Sequence, residues 1–225
     1  MTEQMMQWCE AFQSEILRLF PGRVAFLGIQ GSHRRGEATK QSDIDMVVIL
    51  DKIGAADLLA YRQMIEQMPE REKMCGFVSG KSELAHWPRA DLFQFYYDTQ
   101  PILGDLSEIF PKPGKEEAQE ALKNGAANLY HAACHCYLFE EEKAQTLAML
   151  YKGVFFLLQA DTFCKKQIYC DSKRTLGEVL SGEEAWLFAQ CMNREAIANA
   201  QGQELEELFM RLIAWCAEKI AEQSW

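Results

Sequence analysis

Two aspartates, Asp43 and Asp45, have the residue type and spacing that could hold a metal ion. They open an apolar run typical of a β-strand, and alternate residues of a strand point to the same face. Upstream, Gly31 and Ser32 stand in a turn, where a glycine lets the backbone approach a ligand closely. Two carboxylates on one face repel unless a cation lies between them, and hard oxygen ligands beside a phosphate favour Mg²⁺. The stretch Phe26–Leu50 therefore predicts a divalent-metal site beside a phosphate-binding turn.

The turn that begins at Gly31 has anion-binding chemistry of its own. Ser32 offers a hydroxyl and a backbone N–H near the start of a helical turn, and free N–H groups at a helix N-terminus attract anions. Arg34 and Arg35 add positive charge at the same place. Arg35 could act on a phosphate, or it could pair with Glu37 on the surface, and the sequence leaves both interpretations open.

The elements around this stretch indicate a small mixed sheet with helices packed on it. Apolar periodicity predicts helices at residues 3–20 and 55–68 and strands at residues 23–29, 43–50, 73–79 and 91–97. The segment 81–90, which carries Glu83, His86 and Trp87, is expected to be a loop.

The second half of the chain is predicted to be helical. Pro111–Gly114 is the best linker candidate, and no strand signal follows it. Helices are predicted at residues 116–142, 145–166, 172–180, 183–198 and 203–223. The fold class is therefore α+β, with a sheet domain at residues 1–110 and an antiparallel helical bundle at residues 115–225.

The bulk composition limits the class of partner. The chain has 225 residues, is 48% hydrophobic and has a net charge of −10, which disfavours nucleic acid and would suit a cationic small molecule. The first residues do not resemble a secretory signal, and no apolar run reaches transmembrane length. None of the eight cysteines forms a CxxC pair. We expect a cytoplasmic protein with reduced thiols, no membrane partner, and a monomeric or homodimeric state.

The residues Gly31-Ser32, Arg35-Gly36 and Ser42-Asp43-Ile44-Asp45 match the pattern GSxxRGxxxxxSDID. This pattern resembles the nucleotidyltransferase superfamily named after DNA polymerase β, in its bacterial small-molecule and antibiotic-modifying branch. The layout is similar too, because such proteins pair a sheet domain with a C-terminal helical bundle. The resemblance implies transfer of a nucleoside monophosphate from a nucleoside triphosphate, usually ATP, with Mg²⁺.

The resemblance also implies a third carboxylate on a later strand. Asp91, which opens the predicted strand DLFQFYY, is the first choice, with Glu83 and Glu72 as rivals. Asp98 ends the same predicted strand, but its odd offset from Asp91 would place it on the other face.

Site roles follow from this resemblance as expectations. Asp43, Asp45 and Asp91 would be the catalytic and metal-binding carboxylates, with Asp91 also able to accept the acceptor proton. The nucleotide would be bound by residues in both halves of the chain: Gly31, Ser32, Arg35, Ser42 and Lys152.

Three functions remain open from the sequence. The first is a Mg²⁺-dependent enzyme that transfers AMP from ATP to a hydroxyl of a small, aminoglycoside-like molecule. The second is a protein-modifying nucleotidyltransferase of the antitoxin type. The third is a nucleotide-binding protein that has lost catalysis, which would be favoured if no third carboxylate lay near Asp43 and Asp45. A helical group, His131, Cys134, His135 and Cys136, is interpreted as packed helix residues rather than a zinc site.

Overall fold

Four strands form one mixed sheet in the computed structural model, which describes residues 2–222. They are β1 (Val24–Gln30), β2 (Ile44–Leu50), β3 (Met74–Gly80) and β4 (Gln100–Leu103). The order across the sheet is β3–β2–β1–β4. β1 pairs antiparallel with β2 and β4, whereas β2 and β3 are parallel. The predicted mixed sheet is confirmed.

The central strand β2 is buried on both faces, which explains why it reads as a nearly continuous apolar run. Ile44, Met46 and Val48 point into one core cluster. Val47 and Ile49 point into a second cluster on the other face. Because strand residues alternate, Asp45 lies on the face of Val47 and Ile49.

Helices cover both faces of this sheet. They are α1 (Glu3–Leu19), α2 (Gly31–Arg35), α3 (Ala55–Ile65), α4 (Lys81–Ala85) and α5 (Arg89–Tyr97). α1 begins at a Thr2 cap, whose hydroxyl accepts from the Met5 N–H at 3.3 Å. Its apolar stripe, centred on the fully buried Phe12 and Ile16, packs in the same core cluster as Met46. This amphipathic face is the one that the sequence periodicity predicted.

The predicted strand at residues 91–97 is wrong, because this segment is the helix α5. The N–H groups of Asp91 and Leu92 donate to the Pro88 carbonyl, and Phe93 contacts Tyr97 one helical turn later with ring centroids 5.2 Å apart. Aromatic residues favour strands on average, but here burial against the sheet decides. The expected loop at residues 81–90 contains α4 and the start of α5, and the fourth strand is β4 instead.

The chain divides into two compact units, one ending at Lys112 and the other beginning at Pro113. Within the described part of the second unit all regular elements are helices: α6 (Lys115–Phe139), α7 (Lys143–Lys166), α8 (Lys173–Val179), α9 (Gly182–Met192), α10 (Arg194–Asn199) and α11 (Gly202–Ala221). The predicted α+β class, with a small mixed sheet followed by helices, is confirmed.

Two predicted helix bounds need comment. The single helix expected at residues 183–198 is two helices, because Asn193 adopts φ −114° and ψ 50° and interrupts the helical path. The predicted end of the last helix, Gln223, lies outside the described residues.

Helix α7 is the hydrophobic centre of the second unit. Tyr151, Val154 and Leu158 along it are fully buried, and the Tyr151 hydroxyl donates to the Leu208 carbonyl on α11 at 2.9 Å. Among residues 2–222, this is the one helix long and apolar enough to cross a membrane, with a mean hydropathy of 1.2. However, 61% of its apolar stretch is buried inside the structure, as in the core helix of a folded domain.

A buried ion-pair network joins α7 to α11. The Lys219 side chain is 1% exposed, and its Nζ lies 3.6 Å from Asp161 Oδ1 and 2.6 Å from Glu222 Oε1. Asp161, whose side chain is 3% exposed, also accepts from Lys165 Nζ at 2.7 Å. Removing one partner of a buried pair leaves an uncompensated charge, so these groups stabilise the unit only together.

We expect Asp161→Asn to lower the free energy of unfolding by about 3 kcal/mol, because two lysines lose their shared carboxylate. Urea unfolding followed by circular dichroism measures this. Glu183→Gln is the matched control, since Glu183 pairs with Arg211 at 2.6 Å but both side chains are about a third exposed. Solvent screening should make its effect small. Equal losses in the two variants would contradict the buried-network interpretation.

Candidate functional site

The site begins where β1 ends. Gln30, the last residue of β1, pairs with Asp45 on β2, so the turn that follows it lies directly above that carboxylate. Gly31 has a φ of +72°, and a Cβ at this position would overlap Asp45 Oδ2. Only glycine fits there, because any larger residue would be strained in its backbone and would push against the carboxylate. The backbone of the turn and Asp45 therefore touch.

Asp43 and Asp45 flank the start of β2. Asp43 is exposed just before the strand, and Asp45 is half-buried within it, while Ile44 between them points into the core on the other face. Within residues 2–222, neither carboxylate accepts a hydrogen bond or forms an ion pair. Carboxylates left without a protein partner beside a close backbone turn form a donor set that suits a hard divalent cation.

His33 and Ser42 shape the loop between the turn and the aspartates. Burial lowers the pKa of His33, and the neighbouring Ser42 backbone and the negative charge of Asp45 oppose this shift. The Ser42 hydroxyl accepts from the Thr39 N–H at 2.9 Å, so it closes the loop locally. The sequence pattern contained Ser42 but gave no sign of the role of His33.

Arg35 on α2 is held by carboxylates. Its Nη1 lies 2.8 Å from both oxygens of Asp98, and its Nε donates to Glu37 at 3.3 Å. Asp98 also accepts from the Gly31 N–H at 3.3 Å. Burial raises the pKa of the Asp98 carboxyl, whereas the Arg35 guanidinium acts in the opposite direction. The predicted pairing of Arg35 with Glu37 is therefore present, but the buried contact with Asp98 is the closer one.

Asp98, which directly follows α5, contacts the turn, whereas Asp91 lies near the start of that helix. Asp98 caps the C-terminal end of α5, whereas Asp91 lies exposed in its first turn, seven positions earlier. Seven residues of α-helix span about 10 Å, so Asp91 is carried toward the other end of the helix. Its case rested on a strand that the structure replaces with a helix. As a metal ligand, Asp91 stays a prediction without that support.

The strand beside Asp45 carries no carboxylate at the matching position. In the parallel register, Asp45 is opposite Cys75, which is exposed. The rival Glu72 is exposed in a 3-10 turn before β3, near this end of the strand, and Glu83 lies in α4, beyond the opposite end. Among the described residues, no three His, Cys, Asp or Glu side chains are grouped to hold a metal ion.

The remaining predicted nucleotide contacts differ in position. Ser32 is half-buried in α2, one residue after the close approach at Gly31. Lys152 is exposed on α7 in the second unit. Both stay predictions. The structure adds Asp98 to the predicted site. Its contact with Gly31 joins residues 67 positions apart in the chain, so no local sequence pattern reveals it.

We expect Gly31→Ala to destabilise the protein more than Gly36→Ala does. Both glycines have a φ near +71°, so each substitution costs about 1 kcal/mol of backbone strain. Only at Gly31 does the added methyl group meet the Asp45 carboxylate, and the total loss there should reach at least about 2 kcal/mol. Urea unfolding followed by tryptophan fluorescence measures both variants, and equal losses would mean that the turn does not press on Asp45.

Residues 9–75 match the family model for the nucleotidyltransferase domain, a stretch that includes β1, the Gly31 turn and β2. No curated protein sequence matches the chain. Among solved structures, the chain is similar in fold to spectinomycin adenyltransferase AAD(9) from Enterococcus faecialis with ATP and spectinomycin. The TM-score is 0.56 and the identity 11%, over 96% of this chain and 99% of that one. Residues 9–75 thus resemble a nucleotidyltransferase domain, and the likeness of the chain to AAD(9) is one of fold.

Proposed function

We propose that this protein is a Mg²⁺-dependent enzyme that transfers AMP from ATP to a hydroxyl of a small antibiotic-like molecule. The observation that carries the proposal is the contact between the Gly31 turn and Asp45, beside the second carboxylate of Asp43. It supports the proposal because a metal-bound triphosphate needs an anion-binding turn next to carboxylates, and within residues 2–222 Asp43 and Asp45 have no protein partner.

The residues present fit a divalent metal. Asp43 and Asp45 supply carboxylate oxygens, the ligand type that Mg²⁺ prefers, and neither is occupied by a protein cation within residues 2–222. The chemistry that bound Mg²⁺ supplies is neutralisation of the triphosphate and alignment of its α-phosphorus for in-line attack. In the transfer, the acceptor oxygen bonds to that phosphorus, pyrophosphate leaves, and the hydroxyl proton passes to a base, for which Asp91 stays the predicted candidate.

The chain's own groups would hold the nucleotide at the turn. Within residues 2–222 the Ser32 hydroxyl has no hydrogen-bond partner, and with the N–H groups that follow Gly31 it would bind phosphate oxygens, whereas the Gly31 N–H is bonded to Asp98. Ser42 keeps the loop before Asp43 closed through its bond to Thr39. Lys152 remains a proposed phosphate contact from the second unit.

The proposed acceptor is a cationic hydroxylated molecule. The similar fold of AAD(9) was solved with ATP and spectinomycin, and the net charge of −10 of this chain favours a cationic ligand. We assign recognition of the acceptor to the helical second unit. All eight cysteines are free thiols, in keeping with a proposed cytoplasmic location.

A second candidate, a nucleotide-binding protein without catalysis, is favoured by one observation. Cys75 occupies the β3 position opposite Asp45, and no third carboxylate joins the pair among the described residues. Under this alternative, ATP with Mg²⁺ would raise the melting temperature, because a ligand stabilises the state that binds it, yet no transfer would be seen.

The test of the proposed function is label transfer from [α-³²P]ATP to spectinomycin, other aminoglycoside-type acceptors, lincosamides and candidate proteins. We expect labelled product with a cationic small molecule, and its loss when EDTA removes the metal. Asp45→Asn should lower the rate at least about 100-fold, because metal-bound charge stabilisation contributes several kcal/mol.

Asp51→Asn is the matched control for Asp45→Asn. Asp51 follows the opposite end of β2 and bonds to Arg23, so its loss should leave the rate within about twofold. Circular dichroism should show that both variants remain folded. Full activity of Asp45→Asn would reject the proposed metal site. A melting shift with ATP and Mg²⁺ but no labelled product would favour the second candidate.

A further inference from the structure

We propose that Asp98 is a positioning residue that fixes the Gly31–Gly36 turn for the nucleotide. This inference rests on the proposed function, because it concerns the same turn. Asp98 itself would touch neither the nucleotide nor the metal. It would act through two groups that do line the site, the backbone of Gly31 and, by contact with it, the carboxylate of Asp45.

The turn is tied to one end of α5 by several independent contacts. Asp98 accepts from the Gly31 N–H at 3.3 Å and from Arg35 Nη1 at 2.8 Å for each of its oxygens. Arg34 Nη2 donates to the Tyr97 carbonyl at 3.2 Å. These contacts hold the first, fourth and fifth residues of α2 to the same helix end, so the short helix cannot rotate freely.

The residue before the turn is anchored to the same segment. Gln30 Nε2 donates to Thr99 Oγ1 at 2.6 Å and to the Phe95 carbonyl at 3.3 Å. The end of β1 and the start of α2 are thus both fixed by residues 95–99. A five-residue helix has little stability of its own, so these contacts determine its position.

Burial makes the Asp98–Arg35 contact a rigid one. The Arg35 side chain is 10% exposed and that of Asp98 is 9% exposed. Charged hydrogen bonds are short and directional, and low solvent access strengthens them. A buried ion pair adds little net stability compared with apolar residues of the same size, so its main effect here is on geometry.

Because Gly31 touches Asp45, the position of the turn also determines the position of the proposed metal-binding carboxylate. The Cα of Gly31 lies so close to Asp45 Oδ2 that a Cβ would overlap it. If Asp98 lost its hold on the Gly31 N–H, the backbone could move toward or away from Asp45. Displacements of about 1 Å near reacting groups can cost about 100-fold in rate, so a small shift would be measurable.

The opposite end of β1 provides a matched ion pair. Arg23 donates to Asp57 at 2.7 and 3.2 Å, with side chains 28% and 21% exposed, and ties the start of β1 to α3. It has the same chemistry and a similar structural role, but it does not touch the turn. Asp57→Asn therefore controls for the loss of an aspartate–arginine pair in the same unit.

The experiment compares Asp98→Asn and Asp57→Asn in the full chain. The Asn side chain keeps the shape and removes the charge in both. With ATP and Mg²⁺ varied, we expect Asp98→Asn to raise the KM for ATP between about 10- and about 100-fold and to lower kcat less. Asp57→Asn should change both constants less than about twofold. Arg35→Gln should reproduce the effect, and Asp98→Glu should restore part of the affinity.

A second measurement does not depend on activity. Amide hydrogen exchange of the unliganded protein should be faster at residues 31–36 in Asp98→Asn, and unchanged there in Asp57→Asn. If the wild-type protein transfers no label, the proposed function fails, but faster exchange in Asp98→Asn would still support the positioning role of Asp98. Unchanged exchange, or an unchanged KM for ATP in an active protein, would overturn the positioning role.

Discussion

The close approach of the Gly31 backbone to the Asp45 carboxylate is the constraint on which the rest of the site depends. It requires a glycine in a left-handed conformation and antiparallel pairing of β1 with β2 in one register. It also depends on which apolar residues of β2 fill each face of the sheet, because a one-residue slip would exchange the two faces and turn Asp45 into the cluster of Ile44, Met46 and Val48. The two core clusters therefore fix where the carboxylate points.

The carboxylates near this contact differ in whether a protein cation is bound to them. Asp45 and Asp43 have no protein cation beside them within residues 2–222, whereas Asp98, which contacts the same turn from the end of α5, is bound by Arg35 and the Gly31 N–H. The carboxylates of the site thus have two different tasks. The open pair is suited to a bound cation, and the closed one to holding the backbone.

The local part of the site could be predicted from the sequence, and the long-range part could not. Gly31, Ser32 and the two aspartates fall within one strand–turn–strand unit, so periodicity and residue type were sufficient. The contact of Asp98 with the turn was not predicted, because the segment before Asp98 has the aromatic composition of a strand. In a strand its offset from Asp91 separates the two faces, whereas in α5 the same spacing places them along one side of a helix. Likewise, no glycine or proline marks the helix break at Asn193.

The two arginines of α2 also determine the electrostatic character of the turn. They lie at the C-terminal end of α5, where aligned peptide dipoles amount to about half a negative charge, and where Asp98 adds a full one. In a chain of net charge −10, the C-terminal end of α5 and Asp98 would repel a triphosphate if no arginine were bound there. Arg34 and Arg35 neutralise the helix end from within. Under the proposed function, a triphosphate at this turn would meet a helix end whose negative charge is already balanced by arginines bound to the protein.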